Sequence, residues 1–354
     1  MTRGAVTGGD VTRSIPTAVG TGIGSMPGTD PREAASIING ELDFAHLAEL
    51  PARGVGADMI GRMAAILVDI PIDAGTWGYR LSGRRSNVSR RAADYLSADL
   101  DAVEELWDAA GFIRTGRPFK LQVCGPFTFA ASAELSNGHK ILRDRGAWSD
   151  VIASATEGIR VLVAETERRL GTNTVVQLDE PSIGAVLDGT VKPLTRFDTI
   201  PAIPVIEVAE ALTHLAESID RPVILHNCGA PRWDLTARLP GVGVSCDITS
   251  WTSVSAADLD GVGALIDRGD VFVAGAVPST PPRTVSDTGS PAERVASSLA
   301  RLVDRIGLNR SVLRENVVVT PACGLAGAGS GWPSKALAVA AKAGELLAAD
   351  PDAL

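Results

Sequence analysis

The sequence predicts an α/β protein that folds as a single (β/α)8 TIM barrel. From Lys120 onward, short apolar runs alternate with helix-like segments, as in folds built from strand–helix units. The runs show no period of two, which is typical of parallel strands with both faces buried. Polar residues follow several of these runs. A doubly wound sheet also fits the alternation, but polar residues at many different strand ends favour a barrel, whose active site collects side chains from all its loops.

The individual elements follow from runs and breakers in the sequence. Six strands are expected at 120–124, 174–178, 223–226, 242–247, 271–274 and 317–319, and two earlier ones, near Ile23 and before Asp73, would complete eight. Helices are expected at 61–71, 97–110, 149–169, 205–218, 256–267, 291–306 and 335–349, and an irregular region at 73–91. Gly171 suits the end of the long helix over 149–169.

Composition excludes several classes of function. The 354 residues carry a net charge of −9 and no long basic segment, so nucleic acid is not an expected partner. No apolar run approaches the roughly 20 residues that a membrane span requires. Residues 1–17 are expected to form a flexible tail without the apolar core of a signal peptide, and 18–354 the barrel. A cytoplasmic protein is therefore expected, with cysteines present as thiols or metal ligands.

The stretch over 223–229 suggests a metal site. His226 and Cys228 are two positions apart at the end of an apolar run, and on extended backbone such residues point to the same side. Cys323 ends a second run of the same layout. Imidazole and thiolate are the ligands that zinc prefers, and a catalytic zinc uses about three of them. Either Cys246 or Asp247, at the end of a third run, could provide a fourth.

Thiolate ligands favour one kind of zinc chemistry. A thiol bound to zinc loses its proton near neutral pH and becomes a nucleophile without a dedicated base. Transfer of an alkyl group to a substrate thiol is the expected reaction. Hydrolysis is the weaker alternative, since it prefers histidine and carboxylate ligands.

Acidic residues near strand ends are candidates for substrate binding. Asp179 and Glu180 directly follow the run over 174–178, where barrel carboxylates usually face the site. Glu49 lies outside any such run, and composition alone favours an ordinary surface carboxylate there.

Four motifs together resemble the catalytic domain of cobalamin-independent methionine synthase. They are Ile23-Gly24-Ser25-Met26-Pro27, Gln177-Leu178-Asp179-Glu180-Pro181, His226-Asn227-Cys228 and Pro321-Ala322-Cys323-Gly324-Leu325. Their order and spacing match from about Gly20 to the end of the chain. The family is similar in fold to uroporphyrinogen decarboxylase, a (β/α)8 barrel.

The resemblance implies residue roles and a substrate. Zinc would be held by His226, Cys228, Cys323 and, where the family has glutamate, Asp247. Homocysteine would be the methyl acceptor, with its carboxylate at Ile23, Gly24 and Ser25 and its ammonium at Asp179 and Glu49. No catalytic side chain is implied beyond this thiol-activating site.

Departures from the family concern the methyl donor. In the folate-dependent enzymes, which carry a second barrel in front, the loop after the seventh strand contains a histidine that helps protonate the folate leaving group. The corresponding stretch here, 275–283, has none. The sequence therefore predicts a short, core-type enzyme that takes its methyl group from methylcobalamin or a methylated corrinoid protein, because a corrinoid leaves without a proton.

Three alternatives differ in the residues they need. A sister zinc enzyme acting on coenzyme M would not use Asp179 and Glu49, which repel a sulfonate. A metal-free decarboxylase of the uroporphyrinogen type would need cationic residues and no His226, Cys228 and Cys323. A non-catalytic zinc- or thiol-binding module would not require a complete set of amino-acid contacts.

Overall fold

The computed structural model describes residues 14–251, 253–282, 289–329 and 331–354. Its strands are β1 (Val19–Gly20), β2 (Ala45–His46), β3 (Ile72–Gly75), β4 (Gly78–Leu81), β5 (Pro118–Cys124), β6 (Asn173–Asp179), β7 (Val223–Asn227), β8 (Gly243–Asp247), β9 (Phe272–Val277) and β10 (Val317–Pro321). Its α-helices are α1 (Pro31–Glu41), α2 (Met59–Ile66), α3 (Asn87–Ala110), α4 (Pro126–Ser132), α5 (Arg145–Leu170), α6 (Ile183–Asp188), α7 (Val205–Ile219), α8 (Trp233–Thr236), α9 (Ala256–Asp267), α10 (Pro291–Ile306), α11 (Val312–Asn316) and α12 (Trp332–Ala349), with short 3-10 turns at Pro51–Arg53, Ile141–Arg143 and Pro351–Ala353.

Eight parallel strands form the barrel wall in the order β1-β10-β9-β8-β7-β6-β5-β2. The two ends of this sheet meet through a parallel bridge between Ser25 and Glu49. The Glu49 N–H donates to the Gly24 carbonyl at 3.1 Å, and the Met26 N–H donates to the Glu49 carbonyl at 2.8 Å. The seam of the barrel therefore joins the motif over 23–27 to the segment that carries Glu49. The predicted (β/α)8 barrel is confirmed.

The barrel interior changes from apolar to polar along the strands. Its bottom is closed by Ile15, Phe44, Val175, Ile224, Val273 and Val318, which form an apolar cluster separate from the main core. The larger core lies between the strands and the surrounding helices, and the helices that pack there present their apolar sides to the sheet. At the carboxyl ends of the strands the inward side chains are polar, which places the candidate site at that end.

The helix boundaries reflect local capping. The side chain of Asp30 accepts from the Arg32 N–H at the start of α1, and Pro31 occupies the first turn, where a missing N–H costs nothing. Gly171 ends α5 in the left-handed region, with φ of 62°, which agrees with its predicted role.

The structure corrects two predictions about the first third of the chain. The second barrel strand is Ala45–His46, and the segment at Asp73 instead forms the antiparallel hairpin β3–β4 outside the barrel. The region 73–91, predicted to be irregular, contains this hairpin and the start of α3. A strand of two residues shows no periodicity, which is why the sequence did not reveal β2.

One residue of the predicted N-terminal tail packs inside the barrel. Residues 1–13 of the expected tail lie outside the described residues. Ile15, which was assigned to the same tail, is buried at the bottom of the barrel.

Within the described ranges, no helix combines the length and apolarity needed to cross a bilayer.

Candidate metal and substrate site

Three of the predicted metal ligands converge at the carboxyl ends of β7 and β10. One ligand atom each of His226, Cys228 and Cys323 lies within 4.8 Å of the other two. In the part of the chain that the structure describes, this is the one group of three histidine, cysteine or acidic side chains with that property. His226 lies on β7 and Cys228 follows directly after the strand ends at Asn227, so both side chains are at its carboxyl end.

The arrangement fits a metal ion that prefers nitrogen and sulfur. His226 is 3% exposed, and its Nε2 atom is buried without a hydrogen-bond partner among the described residues. Such an orphaned nitrogen is costly unless something binds it. Its Nδ1 atom lies 2.9 Å from the Ser245 hydroxyl, so the ring is already oriented with Nε2 left for a ligand. A histidine and two thiols are the donor set of a zinc site.

The two thiols differ in acidity. The adjacent Cys228 thiol and the nearby imidazole of His226 lower the pKa of Cys323 to about 4, whereas the contact with Cys323 and burial raise the pKa of Cys228. Cys323 is therefore the sulfur that ionises more readily, and a bound cation would stabilise its thiolate further. Thiolates are the form in which cysteine ligates metals.

Neither candidate for a fourth ligand joins the group. The Asp247 carboxylate accepts from the Thr249 N–H at 2.7 Å and the Thr249 hydroxyl at 2.6 Å, which hold it in the turn after β8. Cys246 is 2% exposed, and it faces an apolar cavity against Leu225 and Trp233 on the other side of the strand. Because side chains alternate along β8, Cys246 cannot turn toward His226 without breaking the strand register.

Two buried carboxylates lie beside the thiols. Asp179 is 6% exposed, is paired in register with His226, and accepts from the Gln177 amide at 2.6 Å. Glu49 is 5% exposed, and its Oε1 atom forms an ion pair with Arg62 Nε at 3.4 Å but has no hydrogen-bond partner among the described residues. Burial raises the pKa of both carboxyl groups. A cationic group that donates hydrogen bonds would satisfy both.

The segment Ile23–Ser25 presents hydrogen-bond donors at the same end of the barrel. The carbonyls of Gly24 and Ser25 are bound by the N–H groups of Glu49 and Leu325, at 3.1 and 2.7 Å. Their own N–H groups have no acceptor in the described parts of the chain. A Cβ atom on Gly324 would overlap the Ser25 hydroxyl, so glycine after Cys323 lets this segment approach the thiols. Two free N–H groups and a hydroxyl form a suitable cradle for a carboxylate.

Glu180 has a structural role although it neighbours Asp179. Its carboxylate accepts from the backbone N–H groups of Phe127 and Thr128, at 2.9 and 2.7 Å, and so caps the start of α4. The alternation of side chains along β6 turns Asp179 into the barrel and Glu180 away from it.

Polar residues inside the barrel wall were missed by the sequence analysis. Lys120 and Gln122 on β5 and Gln177 on β6 are at most 2% exposed and surround the carboxylates. A signal existed, since these residues occupy alternate positions in otherwise apolar runs that lead to the site. His46 on β2 is buried beside them.

Removal of the Ser245 hydroxyl is expected to weaken metal binding. In Ser245→Ala, the His226 ring loses the partner that fixes its orientation, and zinc affinity should fall by about 10–100-fold. Competition with a chelating indicator measures this affinity. Ser154→Ala is the control. Ser154 lies on α5, and its hydroxyl donates to the Val68 carbonyl. Equal zinc affinity in Ser245→Ala and the control would show that Ser245 does not orient the ligand.

Comparisons with known proteins identify the family of the chain and solved structures of similar fold. The family model described as "Cobalamin-independent synthase, Catalytic domain" matches residues 15–346. A B12-independent methionine synthase from Shewanella sp. W3-18-1, solved with selenomethionine, aligns at a TM-score of 0.56 and 14% identity, covering 96% of this chain and 100% of that chain. The 3-keto-D-glucoside 4-epimerase YcjR from E. coli aligns at a TM-score of 0.44 and 10% identity, covering 91% and 98%.

No curated protein matches the chain significantly. The likeness to the Shewanella enzyme shows the fold, and the family match covers almost the whole barrel together with all four motifs. The chain therefore belongs to the family of cobalamin-independent synthase catalytic domains.

Proposed function

We propose that this protein transfers a methyl group to the thiol of homocysteine and so forms methionine, with zinc held by His226, Cys228 and Cys323. The observation that carries the proposal is the buried Nε2 of His226, which lies beside two thiols and has no hydrogen-bond partner in the described ranges of the chain. Zinc at this place would supply one piece of chemistry, the loss of the proton from a substrate thiol that coordinates it.

The surroundings match the other two groups of an amino acid. Asp179 and Glu49 offer buried carboxylate oxygens for an ammonium. The N–H groups of Gly24 and Ser25 offer donors for a carboxylate. Burial of these contacts strengthens them, because little water competes. A thiol that also carries both charged groups is therefore the substrate class that the site favours.

The reaction needs little further help from side chains. The substrate sulfur forms a bond to the methyl carbon, while the bond from that carbon to the donor breaks and its electron pair leaves with the donor. The chain's own contribution is to orient the amino-acid end, so that the sulfur is held beside Cys228 and Cys323.

The family description and the sequence favour different methyl donors. The family is described as cobalamin-independent, and it gives no support to the corrinoid donor expected from the sequence. The remaining argument for a corrinoid is the absence of histidine from 275–283, where a folate leaving group would need a proton donor. A sulfonate thiol such as coenzyme M is disfavoured, because it would bring negative charge to Asp179 and Glu49.

The test is methionine formation from homocysteine by the zinc-loaded protein. Methyltetrahydrofolate and methylcobalamin are offered in parallel as donors, and zinc-depleted protein is the control. Methionine that depends on zinc supports the proposal with either donor, and the productive donor settles the second question. A protein that binds zinc but methylates coenzyme M in preference to homocysteine would contradict it.

Binding of the amino-acid end is expected to weaken in acid. Burial raises the pKa of Glu49 to about 7, and nearby Arg62 offsets this only in part. Below that pH Glu49 takes up a proton and loses the charge that attracts an ammonium, so affinity should fall, approaching about tenfold per pH unit. Calorimetry between pH 5.5 and 8 measures this affinity. Methionine is used as the ligand because it has no thiol whose ionisation would add to the pH dependence. Glu49→Gln should bind weakly with a flatter profile, and an unchanged slope in this variant would count against Glu49 as the titrating group.

A further inference from the structure

We propose that Lys120 is a positioning residue that fixes both substrate-binding elements, the Ile23–Ser25 segment and Asp179, from inside the barrel. The proposal rests on the function proposed above and adds a determinant of specificity for the amino-acid end of the substrate. Lys120 is fully buried on β5. Its ammonium donates to the Ile23 carbonyl at 2.9 Å and to the Gln177 side-chain oxygen at 2.6 Å.

An ordinary ion pair does not account for this lysine. Lysine is almost never fully buried unless a partner compensates its charge. Among the described residues, no carboxylate lies within salt-bridge distance of Lys120, and both of its hydrogen-bond acceptors are neutral. Asp179 and Glu49 act on it only from a distance, and burial lowers the pKa of Lys120 to about 7. What the buried ammonium does at short range is hold two oxygen atoms in place.

The hydrogen bond from Lys120 to the side-chain oxygen of Gln177 sets the orientation of that amide. A charged lysine can only donate, so the side-chain carbonyl of Gln177 faces the ammonium and the amide NH2 faces the other way. That NH2 donates to Asp179 Oδ1 at 2.6 Å and to the Ile23 carbonyl at 3.0 Å. One oxygen of Asp179 is thereby fixed, and the other is left for a ligand. Asp179 and the Ile23 carbonyl are both acceptors and favour the same orientation, and Lys120 anchors the carbonyl end of the amide that they leave unbound.

The hydrogen bond from Lys120 to the Ile23 carbonyl sets the direction of the Gly24 N–H. The Ile23 carbonyl receives two hydrogen bonds, from Lys120 and from Gln177, which fix the peptide plane between Ile23 and Gly24. In a trans peptide the N–H points opposite to the C=O, so the Gly24 N–H is directed away from Lys120. That N–H has no acceptor among the described residues. One side chain therefore aims the contact for the carboxylate and, through Gln177, the contact for the ammonium.

The test compares two thiols in variants of this network. Lys120→Met removes the donor, and Gln177→Glu keeps an acceptor for Lys120 but removes the NH2 group that serves Asp179 and Ile23. Thr174→Val is the control, since Thr174 is 2% exposed on β6, the strand of Gln177, and its hydroxyl has no hydrogen-bond partner among the described residues. The substrates are homocysteine and 2-mercaptoethanol, a thiol without an amino-acid end, and zinc content is measured for each protein.

Both network variants should raise the KM for homocysteine by about tenfold or more, as expected for a lost hydrogen bond to a charged group. Their kcat/KM for 2-mercaptoethanol and their zinc content should stay at the level of Thr174→Val. Equal losses with both thiols, or no loss with homocysteine, would overturn the positioning role. If Lys120→Met does not fold, Gln177→Glu decides. Failure of the proposed function is seen separately, as absence of methionine from the unaltered zinc-loaded protein.

Discussion

Replacement of Cys323 by serine is expected to lower methionine formation at least about a hundredfold and to leave the purified protein without stoichiometric zinc. Cys323 is the thiol whose pKa is lowered by its neighbours, and it is one of only three ligand atoms that the structure gathers. A lost outer partner of a metal ligand already costs about 10–100-fold in metal affinity, so a lost ligand must cost at least as much. Metal analysis and the methionine assay on one preparation measure both effects.

Cys246→Ser provides the matched control for this variant. Cys246 is also a thiol at a strand end, but it packs in the apolar core on the opposite side of β8. Its replacement should lower the free energy of unfolding modestly and leave zinc content unchanged. Equal zinc loss in both variants would mean that the metal is bound elsewhere, or that loss of stability rather than loss of a ligand explains the result.

Replacement of Asp179 by asparagine is expected to raise the KM for homocysteine about 10–100-fold without loss of zinc. Asparagine can still accept from Gln177, so the local network persists while the negative charge is removed. A hydrogen bond to a charged group contributes about 1.5–3 kcal/mol, which corresponds to this range. Steady-state kinetics with 2-mercaptoethanol as the second thiol separates loss of the ammonium contact from damage to the metal site.

The adjacent carboxylate gives the control for Asp179. In Glu180→Gln the cap of α4 keeps one acceptor oxygen instead of two, so the free energy of unfolding should fall by about 1 kcal/mol while the KM stays the same. Chemical denaturation measures the stability. A raised KM in Glu180→Gln, with Asp179→Asn unaffected, would reverse the two assignments.

The architecture was predictable where elements are long and strongly patterned. The six strands from Lys120 onward and the helices between them follow from apolar runs and their breakers. The first two barrel strands are two residues each, too short for any pattern, and they pair through Ser25 and Glu49 rather than through a long ladder. Their place in the barrel depends on tertiary contacts that one sequence does not display.

The candidate site was predictable to the extent that it follows strand periodicity. His226, Cys228 and Cys323 come together because each lies at the carboxyl end of a parallel strand. Asp247 has the same kind of position, but a turn formed with Thr249 and Ser250 holds its carboxylate, a competition that spacing alone does not show. Its role as a zinc ligand remains a prediction.

The polar interior of the barrel was not predicted. Lys120 and Gln177 lie in runs that are apolar on average, and average character conceals a polar side chain that points inward. Their role becomes visible only in the atomic structure, which shows hydrogen bonds from Lys120 to Gln177 and from Gln177 to Asp179. A buried lysine needs such a network, so a lysine within an apolar strand run indicates polar side chains inside a barrel.

The most direct test of the account is X-ray absorption at the zinc edge, with and without homocysteine. We predict that zinc in the isolated protein has two sulfur ligands, from Cys228 and Cys323, and one imidazole nitrogen from His226. Addition of homocysteine should raise the number of sulfur ligands to three, while methionine, which has no thiol, should leave it at two. A sulfur count that does not respond to homocysteine would contradict activation of the substrate thiol by a zinc ion held at His226, Cys228 and Cys323.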